Sequence, residues 1–581
     1  MSKLHQLASS LSLTTLATAF FTQVAAAQPQ QIPPQQPIQP VPANVAPWTC
    51  GDIYYVSVAG SDSNTGTLAQ PWRTITNAIA TSLAQTPTGN PITINVLAGT
   101  YDMQPGVGME TFPLTLPARG IKLEAIEPGV IISGDPSASV VLIDRAGPNA
   151  GPCGKTPGTV LRGLTITQGA TGIGIDTSIS GPAATTPDRV YIHRCKILDN
   201  GGTGISIATR SGYYSQHVIE ENEIAFNANF NGFGRGISHF DFGGFGGAPD
   251  GTSSPLIRAN LIHNNETGID LRGANPATTA ARIVSNIVRD SEIGISLANC
   301  NSRVINNTQG YGKPFSESVD VVGIRTASAG THDIINNIIW NPAAYAMGAN
   351  MFTPSSVVDL DLGAGGNLIT NWILSSGAAD PQFVMAPSDL HVQATSPVLD
   401  AGTNSAILPT INVTAGPITA RADCGMDIDN DSRVLDSLGN GSVAVEIGAD
   451  ERTDGSGAEV GLSSPQLDEF GNLRTAGAPT AVSIQLATNP GATSVIFAWF
   501  VDTDPIPYHR FTNGLGSWRI PGNSAVRRAG AGTADATGTF TAPLILPPAA
   551  LGLEFEMFFQ GATINNGIGT ITNRLLLQIN E

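Results

Sequence analysis

A phrase of apolar and polar positions recurs along the middle of the chain. It runs apolar–apolar–x–x–Asn–x–apolar–x–x–Asn and is followed, several residues later, by Gly-Ile and a stretch of alternating side chains. Alternation predicts half-buried strands, and a unit that cannot bury its own apolar side predicts stacked coils around a continuous core. Because the strand signature is kept while the spacing varies, we expect a right-handed parallel β-helix, with copies that begin at Val190, Val218, Leu256, Arg282, Val304 and Ile334.

The first Asn of the phrase marks a bend between two strands. An Asn side chain bonds nearby backbone and tolerates left-handed dihedral angles, so it suits a sharp turn. Stacking would place these amides about 4.8 Å apart in a hydrogen-bonded column. We therefore assign a scaffold role to the Asn residues of this column, with Cys195 in the equivalent place: Asn222, Asn260, Asn286, Asn306 and Asn336.

The N-terminal residues predict export. Lys3 precedes a moderately apolar stretch from Leu7 to Phe21, and Ala25-Ala26-Ala27 follows, which gives the three regions of a secretory signal peptide over residues 1–27. A membrane anchor is the alternative, but the stretch is short and contains several Ser and Thr. Residues 28–50 are rich in Gln and Pro and predict an extended linker. No other run approaches the ~20 apolar residues that a membrane-spanning helix needs.

Charge and cysteine content narrow the choice of partners. The net charge of −18 argues against nucleic acid or an anionic membrane as the partner. The five cysteines are scattered and show no spacing typical of a zinc or haem site, so their pairing stays open.

The segment that follows Gly51 predicts a cap for the first coil. Ile75, Ala78, Ile79 and Leu83 share one helical face, and Thr74 is placed to be the N-cap. The segment resembles the opening of a family of exported bacterial parallel β-helix proteins catalogued as a domain of unknown function, and a similar opening precedes some pectate lyases. The resemblance implies a pectin-lyase-like fold but no particular activity. It is carried by Tyr55-Val56-Ser57, Gly60-Ser61-Asp62, Gly66-Thr67, Pro71 to Ile75, Ala78 and Gly99-Thr100-Tyr101.

A second resemblance covers Asp380 to Glu451. This stretch is similar to the C-terminal end of the choice-of-anchor β-helix surface proteins, although Glu446 stands where they usually carry Asp. The motifs that carry it are Asp380-Pro381-Gln382-Phe383, Leu390-His391-Val392, Ser396 to Gly402, Asp427-Ile428-Asp429 and Glu446 to Glu451.

The remaining composition sets the expected domain boundaries. Residues 453–478 are rich in Gly, Ser, Ala and Asp and predict a linker, and residues 479–581 predict a small antiparallel β-sandwich. We therefore expect the β-helix to cover residues 51–452, with an N-terminal cap at 51–115 and a C-terminal extension at 376–452.

The Gly-Ile phrase also predicts which residues face solvent. If Ile points inward, the next residue points outward and starts one column, and the residue two further on starts another. Each column contains one carboxylate rather than a stacked pair, which counts against the known lyase and hydrolase sites on this scaffold. The columns are Ser206, Ser238, Asp270, Ser296 and Arg325, and Asp176, Ala208, Phe240, Arg272 and Ala298.

The candidate site lies beside the longest insertion between coils, residues 228–254. This segment contains Arg235, His239, Asp241 and many Phe and Gly residues, and could fold over the outer face near Asp270 and Arg272. A titratable His, two carboxylates, two Arg and aromatic platforms could bind a saccharide and cleave it. The alternative is a loop that packs on itself, with Asp270 and Arg272 as a surface ion pair worth little.

An acidic run after the β-helix suggests a Ca²⁺ site. Asp427, Asp429 and Asp431 resemble the start of an oxygen-rich calcium loop, but Ser432 and Leu438 stand where an EF-hand needs Gly and Glu. A non-EF calcium site and a solvated acidic turn therefore both stay open.

These patterns together predict an exported or cell-surface β-helix protein that binds carbohydrate or neighbouring matrix without catalysis. The alternative is a polysaccharide lyase or glycoside hydrolase that acts on an acidic polysaccharide through the candidate residues. The patterns predict neither the identity of the glycan nor the oligomeric state.

Overall fold

The structure is a computed structural model that describes most of residues 52–450 and the strands between residues 462 and 580. The predicted signal peptide and the Gln/Pro linker lie outside the described residues. So do most segments between the C-terminal strands, and segments 86–91, 105–108, 119, 145–157, 177–189, 210–216, 228–233, 242–252, 274–275, 277–278, 316–318, 328, 344, 346–353, 364–365, 394, 404–410, 414–415, 419–427, 429–444 and 451–461.

Three parallel sheets stack around a common core, which confirms the predicted right-handed parallel β-helix. Successive coils run from sheet 1 through sheet 2 to sheet 3. Sheet 1 contains Asp52–Val56, Ile92–Val96, Ile121–Ala125, Thr159–Arg162, Val190–His193, Val218–Glu220, Leu256–Arg258, Ala280–Val284, Asn301–Ile305, His332–Ile335 and Gly366–Ile369. Sheet 2 contains Gly99–Tyr101, Val130–Ser133, Thr165–Thr167, Lys196–Leu198, Glu223–Ala225, Leu261–His263, Ile287–Arg289, Thr308–Gly310, Ile338–Trp340 and Trp372–Ile373. Sheet 3 contains Leu114–Pro117, Ser139–Asp144, Thr171–Asp176, Thr203–Thr209, Arg235–Asp241, Thr267–Arg272, Ile293–Ala298, Asp320–Ala327 and Ser356–Leu362.

The core is a stack of aliphatic side chains, one layer for each coil. The Ile of each Gly-Ile points inward as predicted, and the resulting column is fully buried: Ile173, Ile205, Ile237, Ile269, Ile295 and Ile324. The preceding Gly is required by the close approach of the next coil. A Cβ added at Gly236 would lie 2.6 Å from the carbonyl oxygen of Gly268, which is closer than any real contact.

The first bend contains an Asn ladder whose register corrects two of the predicted positions. The side-chain oxygen of each ladder Asn accepts the backbone N–H of the ladder residue one coil earlier, as between Asn222 and Asn260 at 3.1 Å. Asn306 and Asn336 were predicted as ladder residues, but each stands one residue before the ladder position and adopts a left-handed φ angle of 55°. The ladder itself runs through Cys195, Asn222, Asn260, Asn286, Asn307, Asn337 and Asn371.

The left-handed conformation at each bend belongs to the residue before the ladder position, whatever its type. Ala259 (φ 51°) and Ser285 (φ 55°) adopt it as well as Asn306 does. The two roles are therefore divided, because the ladder Asn supplies hydrogen bonds while its neighbour supplies the turn. A second ladder at the bend between sheets 2 and 3 uses Asn200, Asn227 and Asn265.

A helix, Ile75–Gln85, covers the first coil. Thr74 is its N-cap as predicted, because its Oγ1 accepts the backbone N–H of Asn77 at 3.1 Å. Asp62 accepts the N–H groups of Arg73 and Thr74, and the buried carboxylate of Glu110 accepts those of Ile75 and Thr76. Two carboxylates thus satisfy the free N–H groups of the first helical turn and complement its dipole.

The chain after the last coil packs back on the β-helix. A 3-10 helix, Leu374–Ser376, leads into an antiparallel hairpin of Phe383–Met385 and Asp389–Val392. Val445 covers apolar side chains on the outer face of sheet 1, and Ile447 and Ala449 cover those on sheet 2. Backbone bonds join Gly448 to Asn336, and Ala449 donates to Thr308 Oγ1.

The remaining strands belong to the C-terminal part of the chain, where the pairing is almost entirely antiparallel, as expected. Neither Ile75–Gln85 nor any other helix among the described residues is long and apolar enough to span a membrane. The strands are Ile411–Val413, Gly416–Ile418, Leu462–Ser463, Asn472–Arg474, Ala481–Ala487, Thr493–Phe500, His509–Arg510, Ser517–Trp518, Arg527–Thr533, Thr539–Ile545, Phe555–Asn565 and Ile568–Asn580.

Candidate functional site

The outer face of sheet 3 presents the two predicted columns of side chains. The strand register confirms both, and it adds Asp361 next to Arg325 at the end of the first. The first column is therefore Ser206, Ser238, Asp270, Ser296, Arg325 and Asp361, and the second includes Asp176, Ala208, Phe240, Arg272 and Ala298.

Three of the five predicted site residues meet on this face. The Nε of Arg235 lies 2.8 Å from Oδ2 of Asp270, and the Nε of Arg272 lies 3.2 and 3.1 Å from its two oxygens. The Asp270 side chain is only 3% exposed, whereas those of Arg235 and Arg272 are 27% and 51% exposed. One buried carboxylate thus holds two guanidinium groups at the surface, which leaves a local positive charge on an acidic protein.

The other two predicted site residues, His239 and Asp241, point into the β-helix and do not join this group. They share strand parity with the buried Ile237, so the alternation that exposes Asp270 and Arg272 buries them. His239 Nε2 lies 2.8 Å from Ser253 Oγ, and Thr279 Oγ1 donates to Asp241 at 3.0 Å.

The interior position of His239 also governs its protonation. Burial lowers the pKa of His239 to about 4, and burial together with the nearby His239 lowers the pKa of the fully buried His217 to about 3. Both imidazoles are therefore neutral at neutral pH.

An exposed aromatic ring flanks the arginines. Phe240 is in register with Arg272 on the neighbouring coil and is 41% exposed. Phe226 is also exposed and meets His263 edge to face, with ring centroids 5.5 Å apart. The other Phe residues predicted for this insertion, Phe230, Phe233, Phe242 and Phe245, lie outside the described residues.

Two glutamates beside this face were missed by the sequence reasoning. Glu266 and Glu292 precede neighbouring strands of sheet 3, and Glu292 is 8% exposed. Glu266 accepts the N–H of Gly234 at 3.0 Å, and Glu292 accepts that of Phe315 at 3.2 Å. The available signal was positional, because each stands two residues before the Gly of a Gly-Ile pair.

Burial perturbs both of these carboxyl groups. The pKa of Glu292 is raised to about 7, mainly by burial and also by the charges of Glu266 and Asp320, against the N–H of Phe315 and the charge of Arg325. Burial also raises the pKa of Glu266, against the N–H of Gly234 and the charge of Arg235. A carboxyl group that titrates near neutral pH can donate or accept a proton under ordinary conditions.

The proposed calcium ligands Asp427, Asp429 and Asp431 lie outside the described residues. Between them, the N–H of Ile428 donates to the carbonyl of Ala449 at 3.0 Å. Within the part of the chain that the structure describes, no group of three or more His, Cys, Asp or Glu is arranged to hold a metal ion. Calcium binding here stays a prediction, which thermal melts with and without chelator test.

Comparisons with known proteins bear on the fold and the family. Solved structures similar to this chain include the pectate lyase Pel9A (15% identity, TM-score 0.40, 64% of this chain and 96% of that one). XylC in its complex with xylose (10% identity, TM-score 0.33) covers 69% of this chain and 98% of its own. A rhamnogalacturonan lyase (12% identity, TM-score 0.23) covers 58% and 92%.

Sequence comparison is more specific for part of the chain. No curated protein sequence matches the chain. Residues 58–277 match the sequence model of the family described as "Protein of unknown function (DUF1565)". This match confirms the resemblance to a domain-of-unknown-function family, while the choice-of-anchor resemblance of the C-terminal portion stays a prediction. Residues 58–277 of this β-helix are therefore similar to DUF1565, a family whose description states no function.

Proposed function

We propose that this protein is an exported or cell-surface β-helix protein that binds an acidic glycan along the outer face of sheet 3. The observation that carries the proposal is the buried Asp270, which holds Arg235 and Arg272 at the surface beside the exposed ring of Phe240. Guanidinium groups fixed by a carboxylate are oriented before a ligand arrives, so less conformational entropy is lost on binding.

The chemistry of these side chains favours a sugar with a carboxylate or sulfate group. A guanidinium presents a planar fork of N–H donors that matches an oxyanion, and an aromatic face packs against the C–H face of a sugar ring. Parallel strands place neighbouring outward residues about 4.8 Å apart. Arg272 and Phe240 could therefore contact one acidic residue of an extended chain, with Arg325 farther along the same face.

Binding to acidic and neutral oligosaccharides tests this proposal. We expect the full chain to bind uronate-containing oligosaccharides, with an affinity at least about 10-fold higher than for neutral ones of equal length, a difference of ~1.4 kcal/mol. Arg272→Gln and Phe240→Ala should each weaken binding. Lys196→Gln is the control, because Lys196 is equally exposed (51%) but lies on sheet 2. Equal binding of acidic and neutral glycans, or equal loss in the control, would contradict the proposal.

A second candidate function is cleavage of the same glycan. The observation that favours it is the pair Glu266 and Glu292, since Glu292 is buried with a pKa raised to about 7, and Arg235 acts on Glu266 while Arg325 acts on Glu292. Such a group suits a general acid in glycoside hydrolysis, with the second carboxylate as base or nucleophile. New reducing ends that disappear in Glu292→Gln would support hydrolysis. Unsaturated uronate would indicate a lyase, and neither product would leave binding alone.

A further inference from the structure

The bend between sheets 2 and 3 contains a column of residues in the left-handed conformation. The residue that follows each sheet 2 strand from Thr165–Thr167 to Thr308–Gly310 adopts it, and strand register stacks these residues from coil to coil. Asn and Asp tolerate this conformation, whereas a bulky side chain is sterically strained in it. The column is Gln168 (φ 65°), Asp199 (53°), Phe226 (57°), Asn264 (54°), Asp290 (52°) and Tyr311 (54°).

The two aromatic residues of this column have opposite surroundings. The ring of Tyr311 packs edge to face with that of Tyr345, with centroids 5.2 Å apart, and meets that of Phe383 at 6.1 Å. These contacts offset the strain at Tyr311. Phe226 is 50% exposed and meets the ring of His263 edge to face. Phe226 therefore combines a strained backbone with an exposed apolar ring, and neither stabilises the free protein.

His263 restricts the orientation of the Phe226 ring. The His263 side chain is 8% exposed, its Nδ1 lies 2.8 Å from Oδ1 of Asn264, and its Nε2 lies 3.4 Å from Oε1 of Glu223. These two polar contacts hold the imidazole, which in turn limits the rotation of the phenyl ring against it. A ring that is oriented before a ligand arrives loses little conformational entropy on binding.

Phe226 lies at the Arg235 end of the sheet 3 strands. The next residue, Asn227, packs against the start of the preceding sheet 3 strand, since a Cβ added at Gly204 would lie 2.8 Å from Asn227 Nδ2. Thr203, the neighbour of Gly204, is in register with Arg235. The bend that carries Phe226 therefore adjoins the end of the proposed glycan face where Arg235 pairs with the buried carboxylate.

The two exposed Phe residues lie at opposite ends of this face. Phe240 and its in-register neighbour Arg272 lie near the far end of their strands. Arg235 and Phe240 are about 16 Å apart along the strand, because each residue advances it by about 3.3 Å. The face from Phe240 to Phe226 is therefore longer than one or two sugar rings, with Arg235 near its Phe226 end.

We propose that Phe226 forms a second sugar subsite at the corner between sheets 2 and 3, so that the acidic glycan follows the strands from Phe240 past Arg235 to Phe226. This inference rests on the proposed function. The ring would pack against the C–H face of a sugar, which accounts for an exposed aromatic residue kept at a strained position. A glycan that instead followed the β-helix axis towards Arg325 would not reach Phe226.

The length of the glycan separates this subsite from the one at Arg272 and Phe240. Dimers and hexamers of galacturonate, glucuronate and mannuronate are titrated into the full chain by calorimetry. For the hexamer that binds most tightly, we expect Phe226→Leu to weaken binding at least about 5-fold and Phe226→Tyr less than about 2-fold, because Tyr keeps the aromatic face. The dimer of the same uronate, held by Arg272 and Phe240, should bind both variants as it binds the wild type.

Thermal melts of the unliganded protein give a readout that a structural role would not produce. Phe226→Asn introduces the residue type that Asn264 provides in the same column. It should raise the melting temperature, because Asn suits the left-handed conformation, and should weaken hexamer binding as Phe226→Leu does. Tyr311→Asn is the matched control and should lower the melting temperature, because it removes the ring contacts with Tyr345 and Phe383.

The outcomes distinguish this inference from the proposed function. Hexamer binding that falls in Arg272→Gln but not in the Phe226 variants would overturn the subsite and leave the proposed function standing. A loss in Arg325→Gln with none in the Phe226 variants would place the glycan along the β-helix axis and overturn the subsite too. A lower melting temperature in Phe226→Asn, with equal losses for dimer and hexamer, would assign the ring to the fold instead. No binding of any uronate oligomer would overturn both proposals.

Discussion

Asn222 donates from both its backbone N–H and its side-chain Nδ2 to the single side-chain oxygen of Asn260, at 3.1 and 2.9 Å. Asn260 repeats the arrangement with Asn286 and also donates to the backbone oxygens of Ile219 and Arg258. Each amide thus fixes its own bend and the bend of the next coil. The ladder is a chain of buried bonds in which every member depends on its neighbour.

Asn260→Ala should therefore destabilise the β-helix strongly. The substitution removes the side-chain bonds of Asn260 and leaves the donors of Asn222 buried without an acceptor, so we expect a loss of about 3–5 kcal/mol. Cys195→Ala is the matched control, since Cys195 occupies the same ladder position without an amide and should lose about 1 kcal/mol. Urea unfolding measures both. Equal losses would show that the side-chain amide adds nothing to the bend.

Asp270→Ala should cost more stability than Asp361→Ala, although both residues lie in one outward column and pair with arginine. Asp270 is buried, and its removal leaves two guanidinium groups without their acceptor, which costs about 1–3 kcal/mol. Asp361 is 50% exposed and pairs with the partly exposed Arg325, so its loss should stay below about 0.5 kcal/mol. The midpoints of urea unfolding at low and high salt decide the comparison.

Gly236→Ala should destabilise the fold, whereas Gly201→Ala should not. The new methyl group at Gly236 would meet the next coil's backbone oxygen at 2.6 Å, and backbone cannot move aside as a side chain can. We expect a loss of about 1–3 kcal/mol. At Gly201 the nearest atom is 3.5 Å away, an ordinary contact, so the smaller unfolded-state entropy should make this variant neutral or slightly stabilising. Comparable losses in the two variants would contradict the close-approach argument.

Stability should fall on mild acidification because of His217 and His239. Their folded pKa values, about 3 and about 4, lie below the unfolded value of 6.5, so the unfolded chain takes up protons first. Their contribution to the free energy of unfolding is complete above pH 6.5 and is lost as the pH falls towards 4 and then 3. The slope approaches ~1.4 kcal/mol per pH unit for each group. His239→Gln and His217→Gln should flatten this part of the stability profile; an unchanged profile would mean that neither group is buried and neutral.

Glu292 should act in the opposite direction. Its folded pKa, about 7, lies above the unfolded value of 4.5, so its favourable contribution is present below pH 4.5 and is lost as the pH rises to about 7. Glu292→Gln keeps an acceptor for the N–H of Phe315 but cannot ionise. We expect the variant to gain stability relative to the wild type between pH 5 and pH 8, as measured by thermal melts. A constant difference across this range would exclude a raised pKa.

The alternation of side chains was sufficient to predict the coils, the buried Ile column and both outward columns of sheet 3. The same rule places His239 and Asp241 inside, so their grouping with Asp270 and Arg272 rested on closeness in sequence rather than on strand parity. The proximity of Arg235 to Asp270 was harder to foresee. Arg235 stands two residues before the inward Ile237, so alternation alone would point it inward, yet its Nε lies 2.8 Å from Oδ2 of the outward Asp270.

The ladder error at Asn306 and Asn336 has a similar physical origin. Each is followed by another Asn, and Asn suits both the left-handed position and the ladder position. The next inward side chain would show which Asn of each doublet is the ladder residue. After Asn307 this side chain is the polar Gln309, which an apolar pattern does not reveal. After Asn337 two Ile residues stand next to each other, so the pattern fits either choice. The pattern is therefore ambiguous at the two copies where the doublets occur.

The route of the chain over Asn336 and Thr308 affects how the β-helix bears mechanical load. A tension applied beyond Asp450 passes from Asp450, which accepts the N–H of Val392, to Ala449 and Gly448, and these two residues bond to two different coils. The pull is therefore shared between coils and acts on buried apolar contacts, rather than peeling the terminal strand from its neighbour one bond at a time. Attachment through the C-terminal part of the chain would thus resist shear better than attachment at the exposed last coil.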